Sequence, residues 1–292
     1  MISFSTLGLR SRLGNHLFQY AFLRTTAQRL GVQFYCPAWS GDSIFELNDS
    51  SERSDTPIGI QYEYAEPLDY TGLNDSALQI KDGTNIQGYF QTEQYFNADQ
   101  VRHWYRFKPE LISSIKQRFS TIDFSESCGL HVRMGDFVTT YADQFYVPRV
   151  QYYQNALKQV TKKDHIIVFS DDIPAAKTLL GELGSRFHFI DGYEPDEGIY
   201  LQSLCHDFIC TSSTYGWWGA WLNTHPDKVI VAPAEGPFRP GSRVNNHEFW
   251  PNLWLKTPGL RFGLDHRYAF KTKHFVQRAL NKTQRIFSKI TT

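Results

Sequence analysis

The sequence lacks an excess of either charge: 30 Lys and Arg stand against 30 Asp and Glu. A nucleic-acid-binding protein ordinarily needs a broad basic surface to displace counterions, so that class is set aside. There is no P-loop, no zinc-finger spacing and no G-x-G-x-x-G fingerprint, which leaves a dinucleotide site at the N-terminal turn unsupported. Cysteine is scarce. Cys36, Cys128, Cys205 and Cys210 lie far apart or within apolar runs, and the spacing of the last two suits no zinc knuckle. They read as buried free thiols, which fits a reducing compartment. No stretch approaches the ~18 apolar residues of a spanning helix. The start, MISFSTLGLR, has neither the basic opening nor the apolar core of a signal peptide, so the expectation is a cytoplasmic chain.

What the sequence does have is length and aromatic rings. Its 292 residues suggest two domains, and 41% hydrophobic residues suffice for packed cores. With 22 Phe, 16 Tyr and 7 Trp, it is rich in rings that suit both core packing and sugar binding. Ile2 to Leu7 reads as a strand, followed by a Gly- and Arg-rich turn and an amphipathic helix to about Leu30, which Gly31 stops. Val32 to Cys36 reads as a second strand. Residues 38–85 read as loops and short strands, Asn85 to Tyr95 as a strand ending in an aromatic loop, and Pro109 to Thr121 as a helix.

The second half alternates more clearly. Strands are expected at Cys128–Arg133, His165–Ser170, Phe187–Ile190, Phe208–Thr211 and Lys228–Ala232, with helices between them. That order specifies an α/β fold with a doubly wound parallel sheet. The domains expected are 1–115, 116–265 and a tail of 266–292. From Lys271 to Thr292 the tail carries six Lys or Arg and no acid. It reads as a helix docked on the body or as a basic amphipathic helix making peripheral membrane contact.

Ligands of such sheets bind beyond the carboxyl ends of the strands, which selects three segments. The first is His131-Val-Arg-Met-Gly-Asp136. Arg133 offers a planar fork for phosphate oxygens, Gly135 allows a sharp turn, and Asp136 could take a proton from a hydroxyl. An Arg133–Asp136 ion pair that merely shapes the turn is the plain alternative. The second is Thr211-Ser212-Ser213-Thr214, where backbone amides and hydroxyls at a helix start could cradle an anion or simply cap the helix. The third is Ser170-Asp171-Asp172, whose acids could bind ribose hydroxyls, guanine nitrogens or a metal, while Asp172 could equally cap the next helix. The sequence contains no Asp-x-Asp metal clamp, so a metal-free site is expected. In the N-terminal turn, Arg10, Arg12, Gly14 and Asn15 could face a cleft, or Asn15 could cap the helix.

The segments 8–22, 87–96, 131–137, 169–172 and 212–222 occur together, in order, and resemble the bacterial and animal α-1,2-fucosyltransferases over residues ~5–235. That resemblance implies a GT-B-like fold, with two Rossmann-like domains facing across a cleft. It also implies a metal-independent inverting mechanism and GDP-β-L-fucose as donor, with a glycan hydroxyl, the 2-OH of a galactoside, as acceptor. His131, Arg133, Gly135 and Asp136 then fall on the donor motif, and Ser212 and Ser213 near the pyrophosphate. Ser170, Asp171 and Asp172 join the donor-binding set, Asp136 is the first choice of base, and Asn15 assists at the acceptor or the leaving diphosphate. The chain departs from the family pattern at Met134, where a second Arg is usual, at Phe137 for Tyr and at His16 for Gln. The alternatives are a transferase of the same build using another GDP-sugar or acceptor, and a non-catalytic carbohydrate-binding protein.

Overall fold

The computed structural model describes residues 1–259 apart from 68, 69, 163, 185, 240–244 and 247. The basic tail therefore lies outside the described residues. The first half runs β1 (Ile2–Ser3), α1 (Leu13–Leu30), β2 (Phe34–Tyr35), α2 (Gly41–Ile44), β3 (Tyr62–Ala65), β4 (Tyr70–Thr71), α3 (Asp75–Leu78), β5 (Thr84–Gln87), α4 (Ala98–Trp104) and α5 (Pro109–Arg118). Its sheet has the order β2-β1-β5-β3, every pairing parallel. The second half runs β6 (Cys128–Val132), α6 (Val150–Leu157), β7 (Ile166–Ser170), α7 (Ile173–Leu180), β8 (Phe187–Phe189), α8 (Pro195–Leu204), β9 (Asp207–Ile209), α9 (Thr214–Leu222), β10 (Ile230–Pro233), β11 (Asn245–Asn246) and β12 (Leu255–Thr257). Its sheet, also parallel, has the order β12-β10-β9-β6-β7-β8. A short parallel pair, β4 with β11, links the two halves.

The parallel α/β architecture agrees with the sequence. The strands β6, β9 and β10 are buried at every position, as continuous apolar runs between two helical layers must be. Two expectations change. The strand expected over Ile2 to Leu7 ends at Ser3, because the Leu7 amide turns back onto the Phe4 carbonyl at 3.1 Å, while Phe4 and Leu7 stay buried in the turn. The sheet also gains β12, a three-residue Leu-Lys-Thr edge too short and polar to read as a strand.

The helix α1 stops where expected, with Gly31 at φ 67° donating its amide to the Ala27 and Gln28 carbonyls. It is not amphipathic, however. From Leu13 to Leu23 every residue except Asn15 is buried, because the helix lies between its own sheet and α9 of the other half. Phe18 sits 4.5 Å from the Trp217 ring and 4.8 Å from Trp218, while Phe96 stacks on Trp218 at 5.7 Å. One hydrophobic cluster accordingly unites Phe4, Phe18 and Phe90 with Phe208, Trp217 and Trp218. Between the two halves, α1 and α9 form a packed seam. The Trp-rich helix α9 is core: Trp217 and Trp218 are fully buried and Gly216 lies against the His131 ring.

Gly14 makes this approach possible, since a Cβ there would lie 2.6 Å from Thr214 and from the Tyr215 amide nitrogen. Both are backbone or near-backbone atoms of another helix start, so the added methyl can only push the helices apart. Gly14→Ala is expected to cost about 1–3 kcal/mol, the usual penalty for overpacking, read as a lowered unfolding midpoint in denaturant.

Candidate active site

In the second sheet the chain starts at β6, adds β7 and β8 on one side, then crosses back to place β9, β10 and β12 on the other. The order therefore reverses between β6 and β9, and a crevice for a ligand is expected beyond the carboxyl ends of those two strands. The residues that follow them are His131-Val-Arg133 and Thr211-Ser-Ser213. Their register pairs Leu130 with Ile209, so the two strands leave the sheet side by side, with strands about 4.8 Å apart.

His131 ties these exits together. Its Nδ1 lies 3.1 Å from Thr211 Oγ1, and Gly216 leaves the room the ring needs. Ser213 is the N-cap of α9, its Oγ accepting the Tyr215 amide at 3.3 Å, and buried Ser212 donates to the Gly236 carbonyl at 3.4 Å. The seryl hydroxyls are thus engaged locally, while the start of α9 still directs its partial positive charge outward.

Arg133 leaves the end of β6 into a short 3-10 turn, Gly135–Phe137. Its guanidinium lies between two carboxylates, bonding Asp136 and reaching Asp171 Oδ2 at 2.9 Å. Asp171 also accepts the Met134 amide at 2.9 Å. Gly135, at φ +25°, has the Asp171 carboxylate where a Cβ would stand, so glycine is required on both grounds. Asp136 uses its other oxygen on Arg12, which reaches across from the first half at 3.0 Å. The result is a row of alternating charges, Arg12, Asp136, Arg133 and Asp171, spanning both halves. Arg12 sits 67% exposed in this row and Arg133 only 13%, which makes Arg133 the fixed member.

The other sequence candidates resolve as follows. Asp172 is the N-cap of α7, its Oδ1 accepting the Ala175 amide at 3.0 Å, and Ser170 Oγ accepts the Asp172 amide at 3.1 Å. Asn15 does not cap α1, which begins at Leu13 with Arg12 at the cap. It lies in the first turn, its Oδ1 accepting from Gln91 at 2.8 Å. Met134 is buried at 2% exposure, so the usual Arg at that position would need a buried partner here; the second cation of the row is Arg12 instead. His16 Nε2 donates to the Arg10 carbonyl at 2.9 Å and so anchors the turn carrying Arg10 and Arg12. Sequence reasoning noted Arg12 but not its pairing, which depends on the α1–α9 seam. It missed Glu66, at the end of β3, altogether.

Burial, and next the Arg133 charge, lower the His131 pKa to about 3, so the ring is neutral at physiological pH. Unfolding restores a value near 6.5, so the unfolded chain binds the extra proton. Stability is then full above about pH 6.5 and falls as the pH drops from there toward 3, by ~1.4 kcal/mol per unit. In denaturant unfolding between pH 7.5 and 5, His131→Gln is expected to differ from the unaltered protein by nearly one proton in the slope of stability against pH.

The comparisons agree with this architecture. The model of Glycosyl transferase family 11 matches residues 2–250. The O-antigen biosynthesis glycosyltransferase WbnK of Escherichia coli is 30% identical over 178 residues, 56% of this chain and 59% of its own. An alpha-1,2-colitosyltransferase of Escherichia coli is 25% identical over 190 residues, 61% of this chain and 63% of its own. The chain thus aligns with about three-fifths of each relative's length. The crystal structure of apo POFUT1 superposes with a TM-score of 0.52 at 11% identity, covering 79% of this chain and 97% of that one, a likeness of fold alone. With the family model spanning nearly all the described residues, the chain belongs to Glycosyl transferase family 11.

Proposed function

We propose that the protein transfers L-fucose from GDP-β-L-fucose, with inversion, to a glycan hydroxyl, the 2-OH of a galactoside, forming an α-1,2 linkage. The observation that carries this reading is the placement of Arg133 and the α9 start on either side of the strand-order reversal. In this reading the diphosphate lies in that crevice. Arg133, with Arg12 beyond it, and the amides at Ser212 and Thr214 stabilise the charge growing on GDP as the bond to fucose breaks. Asp171 and Asp136 hold the guanidinium before the donor arrives, so little reorganisation is left for the reaction itself. With two cations and a helix start available, the reading needs no metal.

Asp136 was the first choice of base from the sequence. In the structure both its oxygens face guanidinium groups, one of Arg133 and one of Arg12. Neither is turned to an incoming hydroxyl, so in this reading Asp136 orients the two arginines. Asn15, held by Gln91, stands one turn along α1 from Arg12 and faces the acceptor side.

A second reading keeps the chemistry and changes the donor. One relative is named for colitosyl rather than fucosyl transfer, so another GDP-linked deoxysugar is its natural form. The O-antigen role in the other relative's name favours a surface-polysaccharide unit as acceptor in either case.

Incubation with a panel of labelled nucleotide sugars decides between the donors, and GDP-fucose is expected to turn over fastest. Arg133→Ala is expected to reduce kcat/KM by at least about 10²-fold, the scale of losing one well-placed donor to a developing anion. Near-normal transfer by that variant removes Arg133 from the reading, whereas no calorimetric binding of GDP by the unaltered protein leaves the carbohydrate-binding alternative.

A further inference from the structure

The residue missed from the sequence lies on the acceptor side. Glu66 follows β3 directly and stands beside the carboxyl end of β5. The loop leaving β5 turns at Gly88 and brings two consecutive amides onto one carboxylate oxygen: Tyr89 N–H and Phe90 N–H both donate to Glu66 Oε2, at 2.6 and 2.9 Å. The turn closes so tightly that a Cβ on Gly88 would lie 2.5 Å from Glu66 Cβ. Gln19 of α1 holds the same turn by donating to the Gly88 carbonyl at 2.8 Å. The carboxylate is thus fixed from one side. Its other oxygen, Oε1, takes no hydrogen bond from any described residue.

Two further features give that oxygen a use. Tyr89, whose amide holds the carboxylate, has a side chain 40% exposed, a flat apolar face of the kind that sugar rings pack against. The loop is also connected to the charged row: Gln91 bonds Asn15, and Arg12, three residues earlier on α1, bonds Asp136. Gln19 and Arg12 are seven residues apart, which places the Glu66 turn about 10 Å along the helix from the row.

We propose that Glu66 is the general base of the transfer reaction, receiving the proton of the acceptor hydroxyl on Oε1. The inference rests on the glycosyl-transfer reading above. As the acceptor oxygen bonds to the anomeric carbon, its O–H bond breaks and the proton passes to Glu66. The bond from that carbon to the diphosphate breaks with its electron pair leaving on GDP, and Glu66 later returns the proton to water.

Burial raises the Glu66 pKa to about 7, against the opposing effect of the Phe90 and Tyr89 amides. No charged side chain among the described residues contributes to this shift. Glu63, on β3, is turned away to Asn85 at 2.9 Å, and Gln19, which faces the turn from α1, is an uncharged amide. A base must be ionised to act, so the rate is expected to fall as the pH drops through about 7.

The test is Glu66→Gln, whose amide oxygen can still accept both loop amides. With whichever nucleotide sugar the unaltered enzyme uses, kcat is expected to fall by about 10²–10⁴-fold while GDP affinity and the melting temperature hold. The residual rate is expected to lose the acid limb near pH 7, and Glu66→Asp to recover part of kcat with the limb restored. A merely structural Glu66 would leave the pH profile unchanged in Glu66→Gln; that outcome, or near-normal kcat, overturns the base alone. Failure of the unaltered enzyme to turn over any nucleotide sugar overturns the transfer reading and the base together.

Discussion

The contact on which the arrangement depends is apolar and distant from any charge: the ring of Phe18 against Trp217 and Trp218. Each half builds a parallel sheet in which the chain crosses from one side of its first strand to the other, past β1 in the first and between β6 and β9 in the second. Each crossing opens a crevice at the carboxyl edge, and the two crevices become one site only if the helices leaving them are held together. The helix α1 starts from the first and α9 from the second. Packing them ring to ring, with glycine at the closest approach, fixes which loop of one half meets which loop of the other.

Electrostatics then refines what packing has set. The row from Arg12 to Asp171 alternates in sign, so each charge has a partner on one side or both. A guanidinium already held between carboxylates in a half-buried site has lost most of its freedom before ligand arrives, and the ordering cost is met by folding. The same row explains how the chain tolerates Met134. The place is filled by packing, and a cation comes from across the seam instead.

The sequence made the second half legible because its strands are buried on both faces and its helices alternate with them, so apolar runs and turn residues mark each boundary. The first half resisted the same reading. Its strands are two to four residues long, and α1 is buried nearly all round, so neither period is clean. Among site residues, those following long strands, His131 and Arg133, could be found by position. The engagement of Asp136 by two arginines could not, since Arg12 lies 124 residues away in sequence. Glu66 had even less to reveal it: a single acid after a four-residue, largely exposed strand, given meaning only by a turn from another strand.

The seam also bears on how the chain comes to be folded during synthesis. Phe18 and its ring partners Trp217 and Trp218 stand about two hundred residues apart, so α1 is synthesised well before the helix that covers this flank. The first sheet is itself incomplete until β5 has been made, because Ser3 pairs with Asn85. Such a chain gains its final order late and cooperatively, and it is the nascent first half, rather than the finished molecule, that stands most in need of a chaperone.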